Sequence, residues 1–215
     1  ERIMRLFWED PYMKEFESVI IDTSAKGIVL EQTAFYPESG GQIGDIGTVN
    51  DIAVTDTQYS KSGKTVYHLV DKSMMGKLRK KMPIKGVINW ERRFQIMRHH
   101  TALHIVFFVF EQVHGSHKLI GSQVRDDKAR VDFAFFDNID IASMQSTLDE
   151  IISQNLPIRV YPDAKKPTYR YWELEGYEPV PCGGTHVKNT EELGKITLKP
   201  KSLGSQGHRI YCSVA

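Results

Sequence analysis

The stretch Arg98-His99-His100-Thr101-Ala102-Leu103-His104 lies inside a long apolar run and decides how the rest of the chain is interpreted. His100 and His104 are four residues apart, so an α-helix with 3.6 residues per turn places both imidazoles on one face. Asn89 is a candidate N-cap before the run, and Gly115 supplies a stop after it. The sequence therefore predicts one long helix that presents two histidines together.

A second segment, Cys182-Gly183-Gly184-Thr185-His186, repeats the four-residue spacing. Its paired glycines favour a loop over a helix. Two imidazoles on a helix, met by a thiolate and a third imidazole on a loop, suit tetrahedral zinc. Burying the histidines without a partner would be costly, which favours metal binding over a role in core packing. Four protein ligands would make a closed structural site, and three plus water an open catalytic one; the spacing leaves both open.

Composition excludes several classes of protein. The chain has 215 residues, 40% hydrophobic and 26% charged, with a net charge of +1 and two cysteines. No apolar run approaches the roughly 20 residues of a membrane span, and two cysteines are too few for a disulfide scaffold, so we expect a cytoplasmic protein. The helix motif of metalloproteases carries a catalytic Glu directly after its first His, and this chain has Thr101 there. The sequence therefore argues against a metalloprotease. Any contact with nucleic acid must come from local basic patches.

Short strand-like runs, separated by Gly, Ser and Asp, fill the first part of the chain. They are Ser18–Asp22, Gly27–Leu30, Gly47–Val49, Val66–Val70 and Lys85–Asn89. They predict a small β-barrel domain over residues 1–88, with Met4 as a natural start behind the short extension Glu1-Arg2-Ile3.

Residues 89–215 combine the histidine helix with a second, amphipathic helix that begins near Ile141 and ends before Pro157. Strands are predicted at Arg130–Phe136, Ile158–Tyr161, Lys195–Leu198 and Arg209–Val214. The predicted fold class is α+β: a barrel, then a domain in which helices cover one face of a mostly antiparallel sheet.

The glycine-rich segment Ala34–Gly47 lies within the predicted barrel. Gly40 and Gly41 would let the backbone approach a bulky partner, and Gln42 and Asp45 could supply hydrogen bonds. The alternative interpretation is a simple turn between two strands.

Taken together, these motifs resemble the editing domain of alanyl-tRNA synthetase and, more closely, the free-standing AlaX proteins of medium length. The likeness covers almost the whole chain and includes Ile120-Gly121-Ser122, Arg130–Phe133 and the glycine-bearing end Leu203–Arg209. It implies trans-editing, the zinc-dependent hydrolysis of the ester in mischarged tRNA(Ala), chiefly Ser-tRNA(Ala). By motif match the ligands of one zinc ion per chain would be His100, His104, Cys182 and His186, and Gly40, Gly41 and Gln42 would line the site.

The chemistry suggests further candidates. Thr101, Thr185 and Asp132 are candidates for contact with substrate or water, and local support of the backbone is the alternative for both threonines. Phosphate contacts to tRNA are predicted for basic residues of two clusters. The first contains Lys80, Lys81, Arg92 and Arg93, and the second contains Lys199, Lys201 and Arg209. No membrane or protein partner is implied. Two rival interpretations are a tRNA-binding module with structural zinc and no catalysis, and the excised editing portion of a synthetase, against which the Met4 start argues.

Overall fold

The computed structural model describes residues 4–215, so the predicted extension before Met4 lies outside the described residues. The chain forms two compact units; the first ends at Arg93 and the second is Phe94–Ala215. The predicted boundary, after residue 88, lies before the observed one, which follows Arg93. The difference arises because the first turn of the histidine helix belongs to the first unit. There the Arg93 side chain donates hydrogen bonds to the carbonyl oxygens of Pro11 and Ala34.

The first unit is built on a closed six-stranded barrel with antiparallel neighbours. Its strands follow one another in the order Glu15–Ser24 (β2), Gly27–Leu30 (β3), Val66–Val70 (β7), Ile52–Tyr59 (β6), Gly47–Val49 (β5) and Pro83–Ile88 (β8). The predicted barrel is confirmed. Its interior is apolar and includes Ile20, Leu30 and Phe35. The elements of the unit are β1 (Met4–Arg5), α1 (Leu6–Glu9), β2 (Glu15–Ser24), β3 (Gly27–Leu30), β4 (Gln32–Thr33), β5 (Gly47–Val49), β6 (Ile52–Tyr59), β7 (Val66–Val70), a 3-10 helix (Lys72–Lys77) and β8 (Pro83–Ile88).

The second unit contains two antiparallel sheets. The first has the order Ile196–Ser202 (β14), His208–Val214 (β15), Ala129–Phe133 (β10) and Leu119–Val124 (β9), and the second the order Ile158–Pro162 (β11), Arg170–Leu174 (β12) and Val180–Pro181 (β13). The predicted α+β class is confirmed, with the strands divided between two sheets. The elements are α2 (Trp90–His114), which starts in the first unit, β9 (Leu119–Val124), β10 (Ala129–Phe133), α3 (Ile141–Ser153), β11 (Ile158–Pro162), β12 (Arg170–Leu174), β13 (Val180–Pro181), β14 (Ile196–Ser202) and β15 (His208–Val214), with 3-10 helices at Thr190–Leu193 and Gly204–Gln206.

Helix α2 contacts both sheets of the second unit, which explains why its sequence is apolar on more than one side. Phe110 stacks on Phe133 of β10 with ring centroids 3.7 Å apart. On another side, Phe108 stacks near Trp172 of β12 at 6.1 Å. The helix is thereby held between two β-layers, which fixes the direction of its histidines.

Within the described residues, no helix combines the length and apolarity that a membrane crossing requires.

Candidate metal centre

The second unit brings together the four side chains that the sequence singles out. His100 and His104 extend from α2, and Cys182 and His186 from the loop after β13. One donor atom from each residue lies within 4.8 Å of the others. The Cys182 Sγ atom is 3.2 Å from Nε2 of His186 and 3.5 Å from Nε2 of His100. A four-residue spacing on a helix and another on a loop therefore converge on one point.

The two histidines of α2 owe their orientation to ring stacking. Their imidazoles lie one turn apart, with centroids at 5.1 Å and planes inclined by 18°. The indole of Trp172 also stacks on His104, at 4.7 Å and 17°. Trp172 is fully buried, so the His104 ring is fixed by two flat neighbours.

The loop is positioned by β12 and by its own backbone. Strand β13 pairs with β12, and the Cys182 amide extends this pairing by donating to the Arg170 carbonyl at 2.9 Å. The Gly184 amide then donates to the Cys182 sulfur at 3.4 Å. This local bond turns the backbone so that Cys182 and His186 point the same way.

A threonine next to His100 holds the loop histidine in place. Thr101 is fully buried, and its Oγ1 lies 3.0 Å from Nδ1 of His186. The same oxygen accepts the Val187 amide at 3.3 Å. With its proton on Nδ1, His186 donates to Thr101 and directs the Nε2 lone pair into the cluster.

Burial keeps the four groups uncharged. It lowers the pKa of His100 and of His186 well below the usual imidazole value, and charge on a neighbouring imidazole would lower it further. Burial also lowers the pKa of His104 to about 4 and raises that of Cys182 to about 11, the latter opposed by the Gly184 hydrogen bond. At neutral pH the imidazoles are therefore uncharged, and the thiol would release its proton on binding a cation.

The arrangement fits a zinc ion. Nε2 of His104 is buried and has no hydrogen-bond partner within residues 4–215, an arrangement that is costly unless a cation binds there. Tetrahedral zinc with bonds of about 2.0–2.3 Å would separate sulfur and nitrogen donors by about 3.6 Å, close to the spacings found for Cys182. Three imidazoles and one thiolate are also a donor set that zinc prefers. The other threonine of the motif, Thr185, is buried beside His186.

The predicted glycine-rich segment forms a tight turn in the first unit. Ser39 and Gln42 exchange backbone hydrogen bonds of 3.0 and 3.1 Å across Gly40 and Gly41. Both glycines have positive φ, +56° and +85°, which L-residues rarely adopt. Gln42 is fully buried. The turn interpretation describes the backbone correctly, and the assignment of these residues to a substrate site stays a prediction.

Asp45 and Arg93 form a buried ion pair inside the first unit. The guanidinium contacts both carboxylate oxygens, and Asp45 also accepts the Tyr36 amide at 2.6 Å. Arg93 is fully buried and its remaining donors bond to carbonyl oxygens. The predicted role of Arg93 as a phosphate contact does not fit this placement, because Asp45 and the backbone occupy its donors.

Asp132, predicted as a substrate or proton-transfer candidate, is also paired with arginines. Its oxygens accept from Arg209 Nε and Nη2 at 2.7 and 2.9 Å and from Arg130 Nη1 at 2.5 Å. Burial raises the pKa of Asp132, but the bonds and charges of these arginines outweigh it and hold the pKa below its usual value. A carboxylate held this way is a poor proton acceptor.

The other predicted tRNA contacts lie in two places. Lys80 and Lys81 are exposed before β8, and Arg92 is half-buried and donates to the Gly44 carbonyl at 2.8 Å. Lys199 and Lys201 are exposed on β14.

Sequence analysis did not identify Trp172, whose ring fixes His104. The signal available was weak: an aromatic residue in the short alternating run Arg170–Leu174, which was not predicted as a strand. Only the tertiary fold shows that this ring stacks on a metal-ligand candidate.

Known proteins match the chain along nearly its whole length. Residues 3–92 match the family described as tRNA synthetases class II (A), and residues 173–211 match the threonyl and alanyl tRNA synthetase second additional domain. The alanyl-tRNA editing protein AlaX-M of Pyrococcus horikoshii is 33% identical over 211 residues, 96% of this chain and 95% of that protein. Its counterpart in Methanosarcina barkeri is 34% identical over 235 residues, 96% of each chain.

A longer protein matches as well. The alanine–tRNA ligase of Ignicoccus hospitalis is 32% identical over 220 residues, which are 90% of this chain and 24% of the ligase. The likeness thus extends to a part of the synthetase, whereas the AlaX-M proteins match end to end. With its barrel, its α+β unit and this full-length identity, the chain belongs to the AlaX-M family of alanyl-tRNA editing proteins.

Proposed function

We propose that this protein is a zinc-dependent aminoacyl-tRNA deacylase that hydrolyses the ester of mischarged tRNA(Ala), chiefly Ser-tRNA(Ala), in the cytoplasm. The observation that carries the proposal is the convergence of His100, His104, Cys182 and His186, with the unpartnered Nε2 of His104 among them, in a member of an editing family. The two free cysteines are consistent with a reducing compartment.

The need for a separate editing site follows from the chemistry of serine. A pocket shaped for alanine rejects an added hydroxyl by only about a hundredfold, so a second site must recognise and remove the error. Hydrolysis adds water to the ester carbonyl carbon and breaks the bond to the terminal ribose oxygen, which leaves with a proton as the free hydroxyl. The products are serine and uncharged tRNA.

The residues of the second unit have distinct roles in this proposal. His100, His104, Cys182 and His186 hold the zinc ion, which supplies Lewis acidity when bound. Thr101 and Trp172 orient the imidazoles of His186 and His104. Thr185, buried beside His186 in the same loop, is the proposed contact to the serine hydroxyl.

Neither Asp45 nor Asp132 is proposed as the acceptor of the proton that the attacking water releases. Asp45 and Asp132 are both held by arginines, so neither is free to accept a proton from water. The 2′-hydroxyl of the terminal ribose is proposed to assist the hydrolysis in their place. The substrate contacts predicted for Gly40, Gly41 and Gln42, and the tRNA contacts of Lys80, Lys81 and Arg92, stay predictions.

A second candidate function is tRNA binding with structural zinc and no catalysis. The observation in its favour is that four protein donors converge, which completes a tetrahedral shell. Incubating the protein with Ser-tRNA(Ala) labelled in serine separates the two functions. We expect serine release well above the uncatalysed rate, with Ala-tRNA(Ala) left intact; release at the uncatalysed rate by zinc-loaded protein would favour the binding module.

Variants connect the activity to the cluster. His100→Ala and Cys182→Ala are each expected to lose both zinc, measured by elemental analysis, and deacylation. His117→Ala changes a histidine outside the cluster and serves as the control that keeps both. Full deacylation by zinc-free Cys182→Ala would contradict the proposed role of the metal.

A further inference from the structure

The outer face of the four-stranded sheet carries a groove of about 340 Å³. Its lining comes from β9, β10, β15 and the turn that joins the first two strands, and it includes Gln123, Arg125, Lys128, Arg130, Arg209 and Tyr211. Strand alternation separates this face from the buried one. Val131 and Phe133 are buried, with Phe133 against α2, whereas Arg130 lies on the opposite side.

The register of the sheet extends this lining to the edge strand β14. Arg130 pairs with Tyr211, and Tyr211 pairs in turn with Lys199. Two residues further along these strands, and so on the same face, Arg209 pairs with Lys201. We call the resulting surface the basic sheet face; its residues are Lys128, Arg130, Lys199, Lys201, Arg209 and Tyr211.

The charge of this face is strongly unbalanced. Five of its six residues are cationic, and Asp132 is the only acidic residue in β9, β10, β14 and β15 as the structure describes them. At the rim, in the turn after β9, Arg125 lies 3.5 Å from Asp127, beside Asp126. The surface therefore has a surplus of positive charge, although the whole chain carries only +1.

Three of the cations, Lys128, Arg130 and Arg209, are held by contacts to Asp132 and Tyr211. Asp132 accepts from both Arg130 and Arg209, and Arg209 Nη1 donates to the Tyr211 hydroxyl at 3.2 Å. Lys128 Nζ lies 5.6 Å from the centre of the Tyr211 ring. Gly121 faces Asp132 across the sheet, and a Cβ there would lie 3.3 Å from the carboxylate. The glycine of the Ile120-Gly121-Ser122 motif thus leaves room for the ion pair.

We propose that the basic sheet face binds the phosphate backbone of the tRNA at a distance from its aminoacyl end. It rests on the proposed function, which makes tRNA the partner. Helix α2, with His100 and His104, packs on the opposite side of the sheet, so a ligand in the groove is not the ester. From Lys199 on β14 to Gln123, which lines the groove on β9, the sheet crosses three strand intervals, about 14 Å. This width exceeds one phosphate and suits several along a nucleic-acid strand.

The test measures binding of uncharged tRNA(Ala) transcript by fluorescence anisotropy over a range of KCl concentrations. The Lys199→Gln/Lys201→Gln variant should bind several-fold more weakly. The slope of log affinity against log salt should fall by about 1.4–1.8, because two phosphate contacts are lost. Arg130→Gln should lower the slope by about half as much. Zinc content and melting temperature of the Lys199→Gln/Lys201→Gln variant should stay at wild-type values, since both exposed side chains lie outside the candidate metal centre.

The matched control is Lys165→Gln/Lys166→Gln, two exposed lysines in the loop between β11 and β12. It removes the same charge and should bind tRNA like the wild type. An unchanged slope in both face variants, an equal loss in the control, or binding to phosphatidylserine vesicles in preference to tRNA would overturn the proposal. Uncharged tRNA involves no chemistry, so this result is independent of whether Ser-tRNA(Ala) is hydrolysed.

Discussion

Thr101 on α2 and His186 on the loop are joined by a 3.0 Å hydrogen bond across 85 positions of the chain. The bond holds Nδ1 of His186 against the threonine, and His186 is the donor when its proton lies on Nδ1. It leaves Nε2 of His186 3.2 Å from the Cys182 sulfur. The geometry of the candidate metal centre therefore depends on a residue that is not itself a ligand.

Thr101→Val tests this relationship because it keeps the shape and removes the hydroxyl. Nδ1–H of His186 and the Val187 amide would lose their shared acceptor. We expect zinc affinity, measured by competition with a chelator, to fall about 10–100-fold. Thr101→Ser, which keeps the oxygen, should stay close to the wild type; an equal loss in both variants would point to packing rather than to the hydrogen bond.

Arg93→Ala should destabilise the first unit. The change leaves the Asp45 carboxylate buried without its ion-pair partner, which costs about 3–5 kcal/mol of unfolding free energy in comparable sites. Urea unfolding would measure the loss, and exposed Lys80→Ala should stay within about 0.5 kcal/mol of the wild type. A stable Arg93→Ala protein with weakened tRNA binding would restore the phosphate contact predicted from sequence.

His68 in the barrel should make stability depend on pH. Its Nδ1 lies 3.1 Å from the Ile28 carbonyl and its Nε2 2.7 Å from the Thr33 hydroxyl, and burial lowers its pKa to about 4. Between its unfolded pKa near 6.5 and the folded value, the unfolded chain binds more protons, so stability falls as pH falls. The loss from this group between pH 7 and pH 4 is about 3 kcal/mol.

His68→Gln isolates this effect from the other buried histidines. Glutamine can still donate to the Ile28 carbonyl but does not titrate. In urea unfolding at several pH values, the stability advantage of the wild type over the variant should shrink as pH falls from about 6.5 to about 4. A constant difference across that range would show that His68 does not titrate differently in the folded and unfolded states.

Local signals in the sequence were sufficient to predict much of the fold. The helix Trp90–His114 follows from an apolar run between Asn89 and Gly115, and the Asn89 side chain accepts the Arg92 amide as an N-cap. Five of the six barrel strands were predicted from β-branched runs. The sixth, Ile52–Tyr59, carries Asp and Gln and has a register shift between Val54 and Asp56, so its pattern is interrupted.

Features that depend on distant partners could not be predicted. Arg93 resembles a surface cation until Asp45 is seen beside it, and Trp172 becomes significant only because its ring meets His104. Gly44 looks like part of a flexible loop, but a Cβ there would lie 2.3 Å from the Thr57 carbonyl oxygen on β6. The four side chains that converge at the candidate metal centre were predicted from two four-residue spacings together with the family resemblance.

The most direct test of the central claim is deacylation of Ser-tRNA(Ala) by one preparation before chelation, after it, and after zinc is restored, with zinc counted at each stage. The account predicts about one zinc per chain at the start, loss of serine release when the metal is removed, and recovery when one equivalent is returned. Undiminished serine release by the metal-free protein would contradict it.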